Sequence, residues 1–137
     1  MISARLTQRD SLLFVYGTLR SFFDIPMARR LRREGALIGS ARVAGRLYDL
    51  GRYPGISRPR RREDWVIGEL YRLARPTRTL RVLDRYEARF VRELARVRVG
   101  RRECRAWLYR FRGPVRARDR IASGDYGSHL RHPRGDA

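Results

Sequence analysis

The chain has 137 residues, 42% of them hydrophobic, and its net charge at pH 7 is +19. This length suits one domain with a single core, and the lone cysteine, Cys104, excludes a disulfide framework or a thiolate metal cluster within the chain. No apolar stretch approaches the length of a membrane span, and the first residues lack the apolar core of a signal peptide. We therefore expect a cytoplasmic protein with one domain over residues 1–137 and loose tails at 1–10 and 131–137.

All of the basic charge comes from arginine. The 33 basic residues are spread from Arg5 to Arg134, and the sequence contains no lysine. A large positive charge favours a polyanion partner such as nucleic acid, but an arginine-only composition is also typical of a GC-rich coding sequence. Because the arginines do not form one block, we expect positive charge over the whole surface and no groove that follows a nucleic-acid backbone.

The first predicted elements are a strand and a helix. The apolar run over residues 12–15 ends abruptly in a Tyr-Gly-Thr turn, which is typical of a buried strand. Asp24 and Pro26 indicate the start of a helix, with Asp24 as the capping side chain, and Gly35 indicates its end.

Four more strands and a second helix follow. Pro76 begins the helix, and Leu80 and Leu83 share its inner face. Alternating apolar residues predict strands at 41–50, 65–73, 91–99 and 105–111, with turns or loops at 51–55, 58–64, 100–103 and 123–127. Consecutive alternating strands form antiparallel pairs, and two helices cannot cover both faces of a parallel sheet. We therefore predict an α+β fold, a small, mixed, strongly curved β-sheet or barrel with two flanking helices.

Glu87 is the most informative single residue. It follows Leu80 and Leu83 on the apolar face of the second helix, near the C-terminal end. Burial and the negative end of the helix dipole both disfavour a carboxylate, so both would raise its pKa and suit it to proton transfer. A boundary glutamate paired with a nearby arginine would occupy the same position, and both interpretations stay open. The arginines within reach along the chain are Arg85, Arg89 and Arg92.

Other reactive side chains lack the partners that catalysis requires. Ser11, Thr18 and Ser21 have no histidine that would complete a triad, which argues against a serine hydrolase. Cys104 lies in the predicted hairpin turn among cationic neighbours, which would lower the pKa of its thiol, but no base accompanies it. Asp84 fits a structural capping or pairing role better than a catalytic one.

The turn after the first strand is a candidate ligand-binding loop. Gly17 can adopt backbone angles closed to other residues, and it lets a ligand approach the main chain. The N–H groups after it could form a small donor cluster for a carboxylate. Glycine is also common in ordinary strand-to-loop turns, so the residues alone leave both interpretations open.

Six blocks of the sequence resemble, in order, those of the gamma-glutamylcyclotransferase-like superfamily. They are VYGTLR at 15–20, GRLYDLGRYPG at 45–55, IGELY at 67–71, LDRYE at 83–87 followed by Phe90 and Arg92, AWLY at 106–109, and IASGDY at 121–126. One Tyr-Gly-Thr-Leu segment is a weak indication, but six ordered blocks over most of the chain are a strong one.

The resemblance implies a fold, a reaction and a set of site residues. The fold is a small mixed barrel with flanking helices, and the reaction releases 5-oxoproline from a small-molecule gamma-glutamyl amine or amino-acid conjugate without a metal or cofactor. Glu87 is implied as the catalytic acid and base, and the loop after the first strand as a cradle that holds the glutamyl group through its backbone. The implied substrate-binding residues are Tyr16, Gly17, Thr18, Leu19 and Tyr109.

Three positions depart from the family pattern. Ala88 stands where glycine is common, Phe90 where tyrosine is common, and Tyr126 where tryptophan is common. None of these removes the acid/base residue, but each would alter the pocket for the leaving group. The sequence specifies neither the conjugate nor the oligomeric state.

The alternative from a different class is a non-catalytic basic binding module for nucleic acid or an acidic ligand. Trp107, Tyr109 and Phe111 alternate on one face of a predicted strand and could stack bases. Such a stripe is more often part of a core. Steep weakening of binding with salt would distinguish phosphate recognition from enzymatic function.

Overall fold

A computed structural model describes residues 11–131. Its strands are β1 (Leu12–Val15), β2 (Gly35–Ala44), β3 (Arg46–Asp49), β4 (Pro54–Ser57), β5 (Trp65–Leu73), β6 (Phe90–Val99), β7 (Arg102–Phe111) and β8 (Arg120–Ile121). Its helices are α1 (Pro26–Glu34), α2 (Pro76–Tyr86), α3 (Tyr126–Arg131) and a 3₁₀-helix at Ala117–Asp119. The predicted tails at 1–10 and 132–137 lie outside the described residues, whereas Arg131 is the last residue of α3. None of the helices described is long and apolar enough to cross a membrane.

Five strands close into a barrel. The antiparallel pairs run from β1 to β5, β2, β6 and β7 in that order, and a parallel pair between Leu13 and Trp107 returns β7 to β1. Strand β4 extends the sheet from β7, followed by β3 and β8. The predicted α+β fold with a mixed, strongly curved sheet is therefore confirmed, with α3 present in addition to the two expected helices.

Strand β1 lies between two hydrophobic clusters, which explains why all four of its residues are buried. Successive side chains of a strand point to opposite faces. Leu12 and Phe14 pack inside the barrel, while Leu13 and Val15 pack outside it. The outer cluster joins the barrel to α1 and α2 through Leu31, Leu80 and Leu83.

The predicted strand at 41–50 consists of two strands, and the first begins earlier, at Gly35. Gly45 separates them where the chain passes close to β4, since a Cβ at this glycine would lie 2.8 Å from the Ile56 side chain. The predicted turn at 51–55 is also shorter than expected. Its hydrogen bond joins the Leu50 N–H to the Tyr53 carbonyl, and Pro54 already begins β4.

Two local predictions are wrong. Ile25 occupies the N-cap position of α1 without a side-chain cap, and the Asp24 carboxylate instead accepts from Arg29 at 3.0 Å. Cys104 lies within β7 rather than in the hairpin turn. Burial there raises the pKa of its thiol, with a further contribution from Glu103, whereas the expected cationic neighbours would have lowered it.

The aromatic stripe of β7 packs largely against the protein itself. Tyr109 is buried in the outer cluster, and Trp107 packs against the same cluster beneath the Arg92 guanidinium, 4.2 Å from its ring centre. Phe111 contacts Phe90 at a ring separation of 5.6 Å. Tyr109 and Trp107 thus take part in the packing of the outer cluster, as is typical of an aromatic stripe that belongs to a core.

Asp64 fixes the charged loop that precedes β5. Its side chain is buried, and its carboxylate accepts hydrogen bonds at 2.8–3.0 Å from Arg46, Arg120 and the backbone N–H groups of Arg60 and Arg61. These donors, Arg46 above all, hold the pKa of the carboxyl well below its usual range. The loop is thereby tied to β3 and β8.

We expect Asp64→Asn to lower the free energy of unfolding at pH 7, because the amide leaves two guanidinium groups without a counter-charge. The stabilisation by the carboxylate is complete above the pKa of an unfolded aspartate and declines as the pH falls towards the lower folded pKa. Urea unfolding should therefore show a larger deficit at pH 7 than at pH 3. Glu63→Gln, at an exposed carboxylate with no ion pair to residues 11–131, is the control. An equal deficit at both pH values would contradict this account.

Candidate active site

A cavity of about 260 Å³ lies where the ends of β1 and α2 meet. Its lining comes from four separate segments of the sequence, the loop after β1, the start of β4, the end of α2 and the end of β7. The site residues predicted from the sequence all lie on it, namely Tyr16, Gly17, Thr18, Leu19, Glu87 and Tyr109. The fold thus brings the predicted acid/base residue and the predicted binding loop to one cavity.

Glu87 directly follows α2, and its backbone is held by an N–H bond to the Leu83 carbonyl at 2.7 Å. Its carboxylate forms no hydrogen bond or ion pair with residues 11–131. None of the three arginines considered as partners forms an ion pair with it; Arg92 binds Asp84, and Arg89 binds a tyrosine hydroxyl. Burial without a counter-charge raises the pKa of Glu87 to about 7. Such a group exchanges a proton readily near neutral pH.

Asp84 has a structural role, as its position in the sequence suggested. Arg92 donates to both of its carboxylate oxygens, at 2.8 Å and 3.3 Å, and the Tyr109 hydroxyl donates to it at 2.7 Å. Burial and the Asp84 carboxylate raise the pKa of Tyr109 well above its usual range. Tyr109 therefore keeps its proton and donates it in the hydrogen bond to Asp84, and this tyrosine contributes its ring to the cavity wall.

The Tyr16 hydroxyl both donates and accepts a hydrogen bond within the protein. It donates to the Tyr109 carbonyl at 2.6 Å and accepts from the Ile56 N–H at 3.2 Å. Burial raises its pKa well above the usual range, so it keeps its proton. Tyr16 therefore links β1, β7 and β4, and only its ring and backbone are left to contact a ligand.

We expect Tyr16→Phe to lower the free energy of unfolding by about 1–3 kcal/mol, because a buried N–H and a buried carbonyl lose their partner. Tyr126→Phe is the matched control, since Tyr126 is equally buried and its hydroxyl has no hydrogen bond with residues 11–131. Urea unfolding of both variants measures the difference. A Tyr16 variant that keeps its stability but loses ligand binding would show that the hydroxyl contacts the ligand instead.

Gly17 is needed for a reason other than the one predicted. Its φ lies outside the left-handed region, so the expectation of unusual backbone angles is wrong. A Cβ at this position would instead lie 2.7 Å from Cγ and 2.8 Å from Cδ of Pro54, closer than side chains approach. Glycine therefore lets the loop after β1 pack directly on the start of β4.

The loop after β1 offers unpaired donors. Thr18 and Leu19 line the cavity, and their N–H groups have no acceptor among residues 11–131. The next residue closes the turn, since the Arg20 N–H donates to the Gly17 carbonyl at 3.1 Å. Two free N–H groups beside one another suit a carboxylate ligand.

Two acidic residues that the sequence did not single out hold this loop. Glu69 accepts from the Ser21 N–H at 2.6 Å and from its hydroxyl at 2.7 Å, while Asp125 accepts from Arg20 at 2.8 Å. Glu69 lies on the same face of β5 as Trp65, Ile67 and Tyr71, and an acidic residue among these large apolar ones was the available signal. Neither carboxylate contacts the cavity, so both act by positioning the loop.

Comparison with known proteins settles the family. The family described as gamma-glutamyl cyclotransferase, AIG2-like, matches residues 13–128. The chain belongs to this family. Curated protein sequences gave no match.

Solved structures share the fold of this AIG2-like chain. YkqA from Bacillus subtilis is 27% identical and has a TM-score of 0.72, over 88% of this chain and 40% of YkqA. The chain thus spans well under half the length of YkqA. An AIG2-like protein from Mus musculus is 22% identical, with a TM-score of 0.62 over 76% of this chain and 80% of its own. A gamma-glutamyl cyclotransferase is 16% identical, with a TM-score of 0.57 over 79% of this chain and 72% of its own.

The solvent side of the cavity in this AIG2-like protein was not predicted. It is formed by Tyr53, Tyr86, Arg89 and Phe90, of which Tyr86 and Arg89 are exposed. The rings of Tyr53 and Phe90 are 5.7 Å apart. Tyr53 comes from the turn before β4 and the others from the end of α2 onward, so only the folded chain brings them together.

Proposed function

We propose that this chain is a gamma-glutamyl cyclotransferase-like enzyme that releases 5-oxoproline from a gamma-glutamyl conjugate. The observation that carries the proposal is the Glu87 carboxylate, which is half-buried and has no partner among residues 11–131. Thr18 and Leu19, whose N–H groups have no acceptor within those residues, line the same cavity. Membership of the family supports the reaction class.

The proposed reaction is an acyl transfer within one substrate molecule. The free α-amine attacks the γ-carbonyl carbon, a carbon–nitrogen bond closes the five-membered ring, and the bond from that carbon to the leaving nitrogen breaks. The attacking ammonium must lose a proton, and the leaving nitrogen must gain one. Glu87, with a pKa of about 7, accepts the first proton and returns it to the leaving amine. Water is not consumed.

Positioning contributes the remainder of the rate enhancement. The N–H groups of Thr18 and Leu19 bind the α-carboxylate of the glutamyl group, which holds the amine and the γ-carbonyl on the side of Glu87. The aromatic walls of the cavity keep water from the carboxylate and so maintain its high pKa. The chemistry needs only a proton carrier and a fixed substrate geometry.

The test is a panel of gamma-glutamyl amino acids, gamma-glutamyl amines and glutathione, incubated with the full chain and assayed for 5-oxoproline and free amine. We expect equal amounts of both products from at least one conjugate. The matching α-glutamyl compounds are the control, because their amine cannot displace the attached group by closing this ring. Folded protein that turns over no gamma-glutamyl compound would contradict the proposal.

A further inference from the structure

We infer that Arg89 binds a carboxylate on the leaving group, so that the substrates are gamma-glutamyl amino acids rather than gamma-glutamyl amines. The inference rests on the proposed function and specifies the substrate class at the same cavity. It comes from the charge and geometry of the solvent side of the cavity.

Arg89 is the only arginine of residues 11–131 that lines this cavity. It forms no ion pair with those residues, whereas Arg92 nearby is neutralised by Asp84. One Arg89 nitrogen, Nη1, donates to the Tyr53 hydroxyl at 3.1 Å, which holds the guanidinium against the start of β4. A guanidinium carries five N–H donors in its plane, so donors along its other edges remain for a carboxylate.

The position of Arg89 matches the chemistry of an amino-acid leaving group. The leaving nitrogen must approach Glu87 to receive its proton, and in an α-amino acid the carboxylate is attached to the carbon next to that nitrogen. A residue that recognises this carboxylate must therefore lie close to Glu87, on the side from which the leaving group departs. Arg89 is two residues beyond Glu87, lines the same cavity and is exposed to solvent.

The rings around Arg89 indicate an apolar side chain on the leaving amino acid. Tyr86 is 47% exposed although it lines the cavity, and Tyr53 and Phe90 stand beside each other on the same wall. Bound apolar surface would cover these rings and remove them from water. Phenylalanine is therefore the leaving group with which recognition is best tested.

The experiment compares gamma-glutamyl-phenylalanine with gamma-glutamyl-phenylalanine amide, which differ only in the charge of the terminal group. We expect the wild type to prefer the acid, and Arg89→Gln to lower kcat/KM for the acid by about tenfold while leaving the amide unchanged. Arg85→Gln is the control, because Arg85 is exposed, forms no ion pair with residues 11–131 and does not line the cavity. Like Arg89→Gln, it removes one positive charge, so an effect of the overall net charge of +19 would appear in both variants.

Each outcome distinguishes recognition of the leaving-group carboxylate by Arg89 from a general effect of positive charge. Loss of the preference in Arg89→Gln alone, with partial recovery in Arg89→Lys, supports the inference. An equal loss in Arg85→Gln, or a wild type that treats acid and amide alike, overturns it. A lower kcat/KM for both substrates in Arg89→Gln would also overturn it, since Arg89 would then act on the part of the substrate that the acid and the amide share. If no gamma-glutamyl compound is turned over, the proposed function itself fails, and that result differs from all the others.

Discussion

Glu87→Gln is expected to slow the release of 5-oxoproline by about a hundred- to ten-thousand-fold, the usual contribution of general acid–base catalysis. The amide keeps the shape and polarity of the side chain but cannot accept the proton of the attacking ammonium. The measurement is the turnover rate at saturation with the best substrate of the gamma-glutamyl panel. Glu103→Gln, at an exposed carboxylate of β7, is the control and should keep the wild-type rate.

The pH dependence of kcat/KM of the wild type tests the role of Glu87 independently. Because Glu87 must be ionised to accept a proton, kcat/KM should fall as the pH drops below its pKa of about 7. A Glu87→Gln variant that retains most of the wild-type rate would show that another group is the base. Circular dichroism of the variant checks that it keeps the fold of the wild type.

The barrel could be predicted because its strands and helices have regular hydrophobic periods. The four apolar residues of β1 read as a buried strand, and the spacing of Leu80 and Leu83 fixed the inner face of α2. The elements that were missed are short. Strand β8 has two residues and β4 begins with Pro-Gly, so the pairing with neighbouring strands, not local preference, makes them strands.

The candidate site was predicted only as far as individual residues carry a signal. Glu87 is a carboxylate that continues the apolar spacing of Leu80 and Leu83, and that conflict is visible in one sequence. The role of Gly17 could not be predicted from the sequence, because Pro54 lies 37 positions away in the chain. Only the fold brings Pro54 so close that a Cβ added at Gly17 would lie 2.7 Å from it. The hydrogen bond from Arg89 to Tyr53 depends in the same way on the fold, which brings the segment after α2 to the turn before β4.

The same substitution, Glu87→Gln, is expected to stabilise the protein at high pH. Folding raises the pKa of Glu87 from 4.5 to about 7, so the folded state holds a proton that the unfolded chain has released between these values. The wild type therefore loses stability as the pH rises through this window, by about 3 kcal/mol from this group alone. Above pH 7 the half-buried carboxylate is ionised, and the cost of its desolvation opposes folding.

Glutamine has no proton to release, so the free energy of unfolding of the variant lacks the pH-dependent contribution of Glu87. All other titrating groups are shared by the two proteins. Wild type and variant should have similar free energies of unfolding at pH 4. At pH 8 the variant should be more stable by about 3 kcal/mol. Urea unfolding at the two pH values measures this difference, and Glu103→Gln should show no such change. A Glu87→Gln effect that is the same at pH 4 and pH 8 would mean that folding does not raise the pKa of Glu87, and the basis for its role in proton transfer would be lost.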